Sequence, residues 1–528
     1  MRLKVRFIFT ITFILAIQCE RYEPDLVVSI TDNSFLNALI ESGIDTDGDG
    51  QISKAEAEAV LSLDVSGTLY GEGGNGIYYY KSGGITDMKG IEAFINLDSL
   101  NCSCNEVTSL DVSNLGKLTY LNCLGNELTT LNVSGCSKLT RLYCNNNQLT
   151  SLDVSNNPYL NLLDCSSNQI PALDVSDNSA LKYFNCSYNQ LTGLDVSDNS
   201  DLYDLRCQNN QLTYVDISYK DNMYFLFCAN NQLTSLDVSQ IIKLYVFNCS
   251  SNLLTSLDVS QNEILDDFNC SSNRLTSLDL SNNSGLYDLR CENNQLTSLD
   301  VSQKDDLYWL YCGSNQLTSL DVSNSTNLKY LHCENNLITS LDVSDLADLH
   351  SLQCFDNQLT ALNISNNTSL YFLKCGGNQL TSLDVSNLPD LGNLDCNSNH
   401  LTTLNISSNT SLRFLDCSAN QLTSLDVSDN NKLLELYCNS NQLISLDVSN
   451  LLDLTILSCG GNLLTTLDVS NNTSLGLGLG DGTPCFLEIE NMPDLGQVCV
   501  WRVPFPPVNF SLCSEGSPNV YFTTECGK

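Results

Sequence analysis

The sequence predicts a β-rich repeat solenoid with parallel sheets and few helices. A cysteine returns every 21 residues from Cys102 to Cys459 without an insertion, and an asparagine stands three residues after each of these cysteines. Six apolar positions recur in each unit, with period-2 spacing in "LYC" at 142–144 and "LDV" at 152–154. One unit is too small to bury these side chains alone, so stacked coils bury them together. Each coil is expected to contribute two short strands.

The repeated unit identifies the class of solenoid. It reads L-x-x-L-x-C-x-x-N-x-L-T-x-L-D-V-S and resembles the leucine-rich repeat, with cysteine where that family carries leucine. The 21-residue length and the echo of the first half in "LTSLDVS" are similar to the bacterial IRREKO subclass. The resemblance covers 18 repeats in residues 97–475. It implies partner binding through the face of the first strand.

The repeated cysteines are predicted to be reduced core residues. Neighbouring parallel strands lie about 4.8 Å apart, whereas a relaxed disulfide needs Cβ atoms about 3.5 to 4.5 Å apart. Buried thiols behave as small hydrophobic groups, so neither a metal nor a redox role is needed. The asparagine column, from Asn105 to Asn462, is expected to satisfy backbone groups of its own coil and of the next coil.

The N-terminal residues predict export. Three basic residues precede an apolar run at 7–17 that is too short for a membrane span, so residues 1–18 are interpreted as a signal peptide. Cys19 resembles the lipidation site of bacterial lipoproteins and would begin a tether at 19–31. The chain is expected outside the cell, either anchored by lipid at the outer surface or secreted.

Two further segments flank the array. Residues 65–96 contain a glycine-rich hairpin or loop and an entering coil, and residues 476–528 are predicted to form a C-terminal cap. In an exported cap, an even number of cysteines predicts disulfides, and three pairings remain open for four of them. These cysteines are Cys485, Cys499, Cys513 and Cys526.

The segment "DTDGDGQISKAE" at 45–56 matches the EF-hand calcium loop at every ligand position, within a small helical cap at 32–64. The expected ligands are Asp45, Asp47, Asp49, the backbone carbonyl of Gln51, Ser53 and Glu56. Ser53 and Glu56 also fit a helix capping box, and the two roles are compatible. A lone loop fused to the first coil predicts a structural calcium ion rather than a sensor.

The outward positions of the first strand are the candidate binding face. Alternation points the residues three before, one before and one after each cysteine outward, and these columns vary and contain aromatic and basic residues. Cross-strand stacking that only stabilises the sheet is the alternative to ligand contact. The predicted face comprises Tyr143, Arg206, Phe225, Phe227, Arg290, Trp309, Tyr311, Tyr330, His332, Phe372, Lys374 and Phe414.

The second strand instead has a nearly uniform outward position, with Asp in 15 of 18 coils, as at Asp111 and Asp153. This column is interpreted as a solubilising face, with weak divalent-cation binding as the alternative. The net charge of −38 argues against nucleic acids and anionic membrane surfaces as partners.

An enzyme is not predicted, because the three histidines stand in different columns and no catalytic motif is present. The sequence therefore favours a surface protein that binds a protein or polysaccharide, and the alternative is a structural spacer or surface-layer component without a specific ligand. Oligomeric state stays open.

Overall fold

The computed structural model describes residues 26–72, 78–81, 83–477, 485–507 and 510–526. The predicted signal peptide and Cys19 lie outside these ranges. Within them, no helix combines the length and apolarity needed to cross a membrane.

The N-terminal cap contains two short helices. Helix α1 (Asn33–Glu41) begins at Asp32, whose carboxylate accepts hydrogen bonds from the backbone N–H groups of Ser34 and Phe35. Helix α2 (Lys54–Ala59) begins at Ser53, and a 3-10 turn follows at Ile91–Ala93. Buried Phe35 and Leu39 pack α1 onto the core of the array, so the cap and the coils share one hydrophobic interior.

The segment before α1 pairs with the end of the predicted calcium loop. The Val28 N–H donates to the Ile52 carbonyl at 2.8 Å, and the Lys54 N–H donates to the Leu26 carbonyl at 2.8 Å. An antiparallel bridge joins Val27 to Ser53 between them. The side of the loop that ends in α2 is therefore held by backbone hydrogen bonds.

The glycine-rich insertion forms an antiparallel hairpin of Thr68–Glu72 with Tyr78–Lys81. It leaves the coil after the first strand of the principal sheet, Ser62–Asp64, which pairs in parallel with Ser99–Asn101.

One parallel sheet runs through the described array, with one strand per coil and a register that pairs equivalent residues of successive coils. Each central residue is buried and its two neighbours are mostly half-buried, as in Trp309–Tyr311. The sheet extends beyond both ends of the 18 repeats, into the N-terminal cap and into the C-terminal segment. Its 21 strands in the described residues are Ser62–Asp64, Ser99–Asn101, Tyr120–Asn122, Arg141–Tyr143, Leu162–Asp164, Tyr183–Asn185, Asp204–Arg206, Phe225–Phe227, Val246–Asn248, Asp267–Asn269, Asp288–Arg290, Trp309–Tyr311, Tyr330–His332, Ser351–Gln353, Phe372–Lys374, Asn393–Asp395, Phe414–Asp416, Glu435–Tyr437, Ile456–Ser458, Leu487–Glu488 and Leu512–Cys513.

The second strand forms in only some coils, so the prediction of two strands in every coil is wrong. The side chains of the "LDV" segments do alternate, and Leu152 and Val154 are buried, yet most of these segments make no backbone ladder with the next coil. Apolar alternation determines which side chains are buried and does not by itself bring two backbones to hydrogen-bonding distance. The strands on this side pair as Ser109–Asp111 with Thr130–Asn132, Leu194–Asp195 with Val215–Asp216, Thr466–Asp468 with Gln497–Cys499, and Gln497–Cys499 with Tyr521–Thr523.

The core consists of stacked columns of equivalent residues. Each repeated cysteine is fully buried with a free thiol, next to a column of leucines in which phenylalanine sometimes stands. Phe247 and Phe268 stack in that column with ring centroids 5.4 Å apart. At about 1.5 to 3 kcal/mol for each fully buried aliphatic side chain, burial of these columns is the main source of stability.

The asparagine column bonds each coil to the coil before it, and the prediction that it would bond to the next coil is wrong. The Asn273 amide donates to the carbonyls of Cys249, Cys270 and Ser271 at 3.0, 3.1 and 3.2 Å, and its Oδ1 accepts from the Leu254 N–H at 3.0 Å. The same pattern recurs along the array, as at Asn336. The column thus fixes the turn that follows each cysteine.

A second asparagine column, which the sequence analysis did not identify, stands thirteen residues after the cysteine. The Asn283 amide donates to the carbonyls of Val259 and Asn262 at 3.1 and 2.9 Å, while its buried Oδ1 accepts no hydrogen bond from the described residues. Other coils place leucine, isoleucine, serine, cysteine or lysine there; the Lys220 Nζ donates to the Ser218 carbonyl at 2.7 Å. This column therefore tolerates apolar side chains, unlike the first.

The residue two positions after each repeated cysteine adopts a left-handed backbone. Glycine suits this conformation and is present at Gly125, with a φ of 64°. Most coils place a side chain there instead, such as Tyr188 at 54° and Ala419 at 50°. The turn therefore accepts local backbone strain in most coils.

Candidate functional site

The predicted calcium loop brings three carboxylates together. Oxygen atoms of Asp45, Asp47 and Asp49 lie within 4.8 Å of one another. Asp45 also orders the loop, since its two oxygens accept from the N–H groups of Gly48 and Gly50 at 2.7 and 3.0 Å. In the described residues, none of the three carboxylates forms an ion pair with a basic side chain. Three converging, uncompensated carboxylates fit a divalent cation.

The remaining predicted ligands lie at the start of α2. Ser53 and Glu56 form the capping box: the Ser53 N–H donates to Glu56 Oε2 at 2.9 Å, and Ser53 Oγ accepts from the Glu56 N–H at 3.2 Å. Glu56 Oε1 accepts from the Thr46 N–H at 2.6 Å. These hydrogen bonds, led by that from Ser53, lower the pKa of Glu56 to about 2. Glu56 is therefore anionic and spans the two ends of the loop.

The predicted residues of the strand face lie on the outward side of the principal sheet and form separate clusters. Tyr143 contacts Tyr120, with ring centroids 5.9 Å apart, and Phe414 contacts Tyr437 at 5.6 Å. The Lys374 Nζ lies 5.4 Å from the ring centroid of its own strand neighbour Phe372.

The two arginines of this face are paired within it. Arg206 forms an ion pair with Asp204 at 3.0 Å and lies over the ring of Phe227, 5.1 Å from its centroid. Arg290 repeats the arrangement with Asp288 at 2.8 Å and lies over Tyr311 at 5.2 Å. The carboxylate partner stands two residues before each arginine, so both side chains are oriented by their own strand.

The largest cluster is a row of rings, named here the aromatic stripe, that crosses five successive coils. Trp309 and Tyr330 stack with an interplanar angle of 21° and centroids 6.0 Å apart, and Tyr311 and His332 lie beside the stripe at 4.6 Å from each other. Burial, followed by the charge of Lys374, lowers the pKa of His332 to about 4, so this imidazole is neutral at pH 7. The stripe consists of Tyr287, Tyr308, Trp309, Tyr330, His350 and Tyr371.

Four members of the stripe come from a column that the sequence analysis missed. Tyr287, Tyr308, His350 and Tyr371 stand four residues before their cysteines, where strict alternation would point a side chain inward. The strands are only three residues long and begin after this position, so the alternation does not reach it. The recurrence of tyrosine in this column, at 203, 224, 245, 287, 308 and 371, was the available signal.

The carboxylates of the aspartate column on the second strand are hydrogen-bonded within their own turns. Each carboxylate accepts from the N–H of the serine two residues later, as Asp153 does from Ser155 at 3.0 Å. Hydrogen bonds to the serine lower the pKa of Asp153, and its side chain is exposed. The geometry agrees with a solvated face.

Two disulfides join the four cysteines of the C-terminal segment, as Cys485 to Cys513 and Cys499 to Cys526. The first links successive coils on the side of the principal sheet, and the second links coils on the opposite side.

The fold and the periodic strand face define a leucine-rich repeat protein, and the chain belongs to this family. Its sequence is 30% identical to the functional domain of InlJ from Listeria monocytogenes, which is described as including a cysteine ladder; the match covers 89% of this chain and 82% of that one, with a TM-score of 0.45. A scan against protein-family models finds no match, and a search of curated proteins finds none either.

Two further solved structures share the fold. YopM from Yersinia enterocolitica is 23% identical over 88% of this chain and 91% of its own, with a TM-score of 0.54. The ectodomain of the plant receptor kinase GASSHO1/SCHENGEN3 from Arabidopsis thaliana, in complex with CASPARIAN STRIP INTEGRITY FACTOR 2, is 22% identical over 83% of this chain, with a TM-score of 0.68. This chain covers 57% of that ectodomain.

Proposed function

We propose that this protein is an exported leucine-rich repeat protein of the cell surface that binds a macromolecular partner through the aromatic stripe. The observation that carries the proposal is the stripe itself, which places rings of five successive coils side by side on the outward face of the sheet. Tyr287 and Tyr371 at its ends are 38% and 43% exposed. Clustered, partly exposed aromatic rings on a rigid sheet are typical of binding hot spots.

The partner is a protein or a polysaccharide, presented outside the cell. The plant ectodomain of the same fold, described in complex with CASPARIAN STRIP INTEGRITY FACTOR 2, is compatible with this use of a leucine-rich repeat surface. Sheet stabilisation alone does not require rings at the exposed edge of the strand, where Tyr287 and Tyr371 lie.

The test is a binding screen of the purified protein against polysaccharides and cell-surface protein extracts, repeated with Trp309→Ala/Tyr330→Ala. The matched control is Phe414→Ala/Tyr437→Ala, which removes a similar ring pair from the same face. A partner that is lost with the first variant and retained with the second supports the proposal. A folded protein that retains its partner equally in both variants, or binds nothing, contradicts it and favours a structural spacer.

We also propose that calcium binds at residues 45–56 and stabilises the N-terminal cap. The carboxylates of Asp45, Asp47 and Asp49, the carbonyl of Gln51, Ser53 and the carboxylate of Glu56 would hold the ion. Calcium supplies no chemistry here beyond neutralising these groups and fixing the loop against α2.

Thermal unfolding in calcium and in chelator tests this second proposal. Calcium should raise the unfolding temperature of the natural protein and should have a much smaller effect on Glu56→Gln. Glu58→Gln is the control, since Glu58 lies on α2 and pairs with Lys54 at 3.5 Å, outside the predicted ligand set. An equal calcium response in all three proteins would exclude the loop as the site.

A further inference from the structure

Two basic side chains near the aromatic stripe are already paired with carboxylates. Arg290 donates to both carboxylate oxygens of Asp288, with Nη2 2.8 Å from Oδ2. Lys329 pairs with Asp348 at 2.7 Å. Arg290 and Lys329 are therefore poorly placed to recruit an anionic partner.

Two carboxylates beside the stripe lack such a partner. Glu292 and Glu334 follow their cysteines directly, and Gly313 occupies the same position in the coil between them, which also carries Trp309. Oε2 of each glutamate is buried without a hydrogen-bond partner in the described part of the chain. No lysine or arginine nitrogen among these residues lies within ion-pair distance of either one.

Gly313 has no side chain, and this leaves room for the carboxylate of Glu334 between the two coils. A Cβ atom at this position would lie 2.5 Å from Glu334 Oε1, so the carboxylate of Glu334 leans over the glycine. Burial raises the pKa of both glutamates, and the charge of Glu334 raises that of Glu292 further. Arg290 lowers the pKa of Glu292, and Lys374 lowers that of Glu334, without cancelling these effects. A cation between the two carboxylates would be favourable.

The orientation of the rings favours a polypeptide over a glycan. Trp309 and Tyr330 are nearly parallel at 6.0 Å, and Tyr287 and Tyr308 are tilted by 30° at 5.1 Å, so neighbouring strands partly cover the ring faces. A sugar ring stacks on an open aromatic face. Partly covered rings, with Tyr287 and Tyr371 exposed at the two ends, instead suit the apolar stems and backbone of a peptide.

We infer that the aromatic stripe binds a basic polypeptide, which places a lysine or arginine head group between Glu292 and Glu334 above Gly313. This inference rests on the proposed function and specifies its partner. The apolar stem of the basic side chain packs along the stripe, in the way such stems cover apolar surface. The net charge of −38 attracts a basic partner at long range, and the two glutamates fix its position.

Trp309 allows binding to be measured at the stripe itself. The chain has two tryptophans, Trp309 and Trp501, so Trp501→Phe leaves Trp309 of the stripe as the single tryptophan, which can be excited selectively at the red edge of its absorption. This reporter protein is titrated with octalysine, with octaglutamate and with cellohexaose at near-physiological salt. Octalysine should change the emission of Trp309 saturably, and the other two probes should not.

Matched charge removals separate the site from general attraction. In the reporter protein, Glu292→Gln/Glu334→Gln should weaken octalysine binding at least about tenfold, while Asp153→Asn/Asp174→Asn, which removes the same charge from the other strand, should weaken it less than about twofold. Gly313→Ala, which keeps every charge, should also weaken binding. Circular dichroism and the emission of unliganded Trp309 verify that each variant is folded.

Other outcomes overturn the inference in distinguishable ways. Equal weakening by the two charge removals would show that only net charge matters. A response to cellohexaose without one to octalysine would assign the stripe to glycans and leave the proposed function intact. No response to any probe would reject the basic partner. The proposed function itself fails only if the extract screen yields no partner whose binding depends on Trp309 and Tyr330.

Discussion

The two asparagine columns predict opposite responses to the same substitution. Asn273→Leu removes the acceptor of the buried Leu254 N–H and the amide whose two N–H bonds are shared among the carbonyls of Cys249, Cys270 and Ser271. An orphaned buried N–H costs about 1 to 3 kcal/mol, and each lost carbonyl partner about 1 kcal/mol. Burial of the new leucine offsets about 1 kcal/mol of this loss, so the free energy of unfolding should fall by about 2 to 4 kcal/mol.

Asn283→Leu should be almost neutral. The loss of a donor to two carbonyls is unfavourable. Removal of the unpartnered buried Oδ1 and the added apolar burial are favourable. Each of these contributions is about 1 to 3 kcal/mol, so they nearly cancel. The chain itself supports this expectation, because Leu346, Leu388 and Leu451 occupy the same column.

Guanidinium denaturation, followed by circular dichroism and by the emission of Trp309, measures both variants. Repeat arrays can unfold in stages, so hydrogen exchange at the Leu254 amide provides a local measure. If the two substitutions destabilise the protein equally, within about 0.5 kcal/mol, the assignment of different roles to the two columns is refuted.

Three further predictions concern single sites. Burial, followed by the charge of Asp416, raises the pKa of Asp395 to about 6, so its stabilising contribution is present below about pH 4 and lost as the pH rises through about 6. Asp395→Asn should exceed the natural protein in stability by about 1 to 2 kcal/mol at pH 8, after allowance for solvent screening, and a difference that persists at pH 4 would contradict this cause. Ala419→Gly should raise the free energy of unfolding by about 0.5 to 1 kcal/mol, because φ at this residue is 50°; an unchanged or lower midpoint in guanidinium would argue against strain. Burial raises the pKa of the Cys312 thiol, so native protein at pH 8 should resist iodoacetamide until denaturant is added, and rapid labelling found by mass spectrometry would show an accessible thiolate.

The repeat allowed most of the architecture to be predicted. The fold class is confirmed, because the spacing of the cysteine and leucine columns determines which side chains stack in a solenoid core. The first asparagine column is structural, as predicted, since a buried amide after a strand needs partners on two coils; the second coil is the preceding one, because the carbonyl of Cys249 and the N–H of Leu254 face Asn273.

Other features depend on distances that a periodic sequence does not encode. Apolar alternation at Leu152 and Val154 is the same whether or not the next backbone lies within hydrogen-bonding range, so the missing ladders were not foreseeable. The exposure of Tyr308 depends on where the strand begins, and the chemistry of Glu292 and Glu334 depends on a neighbouring glycine in another coil.

The strict register of the principal sheet makes the strand face modular. Each strand of the array pairs only with the equivalent strands of the coils before and after it, as Leu310 pairs with Leu289 and Leu331. A whole 21-residue unit can then be duplicated, lost or exchanged while every remaining column stays aligned. The binding specificity of such a chain can change by recombination of complete coils, because the same buried columns pack any two neighbouring coils together.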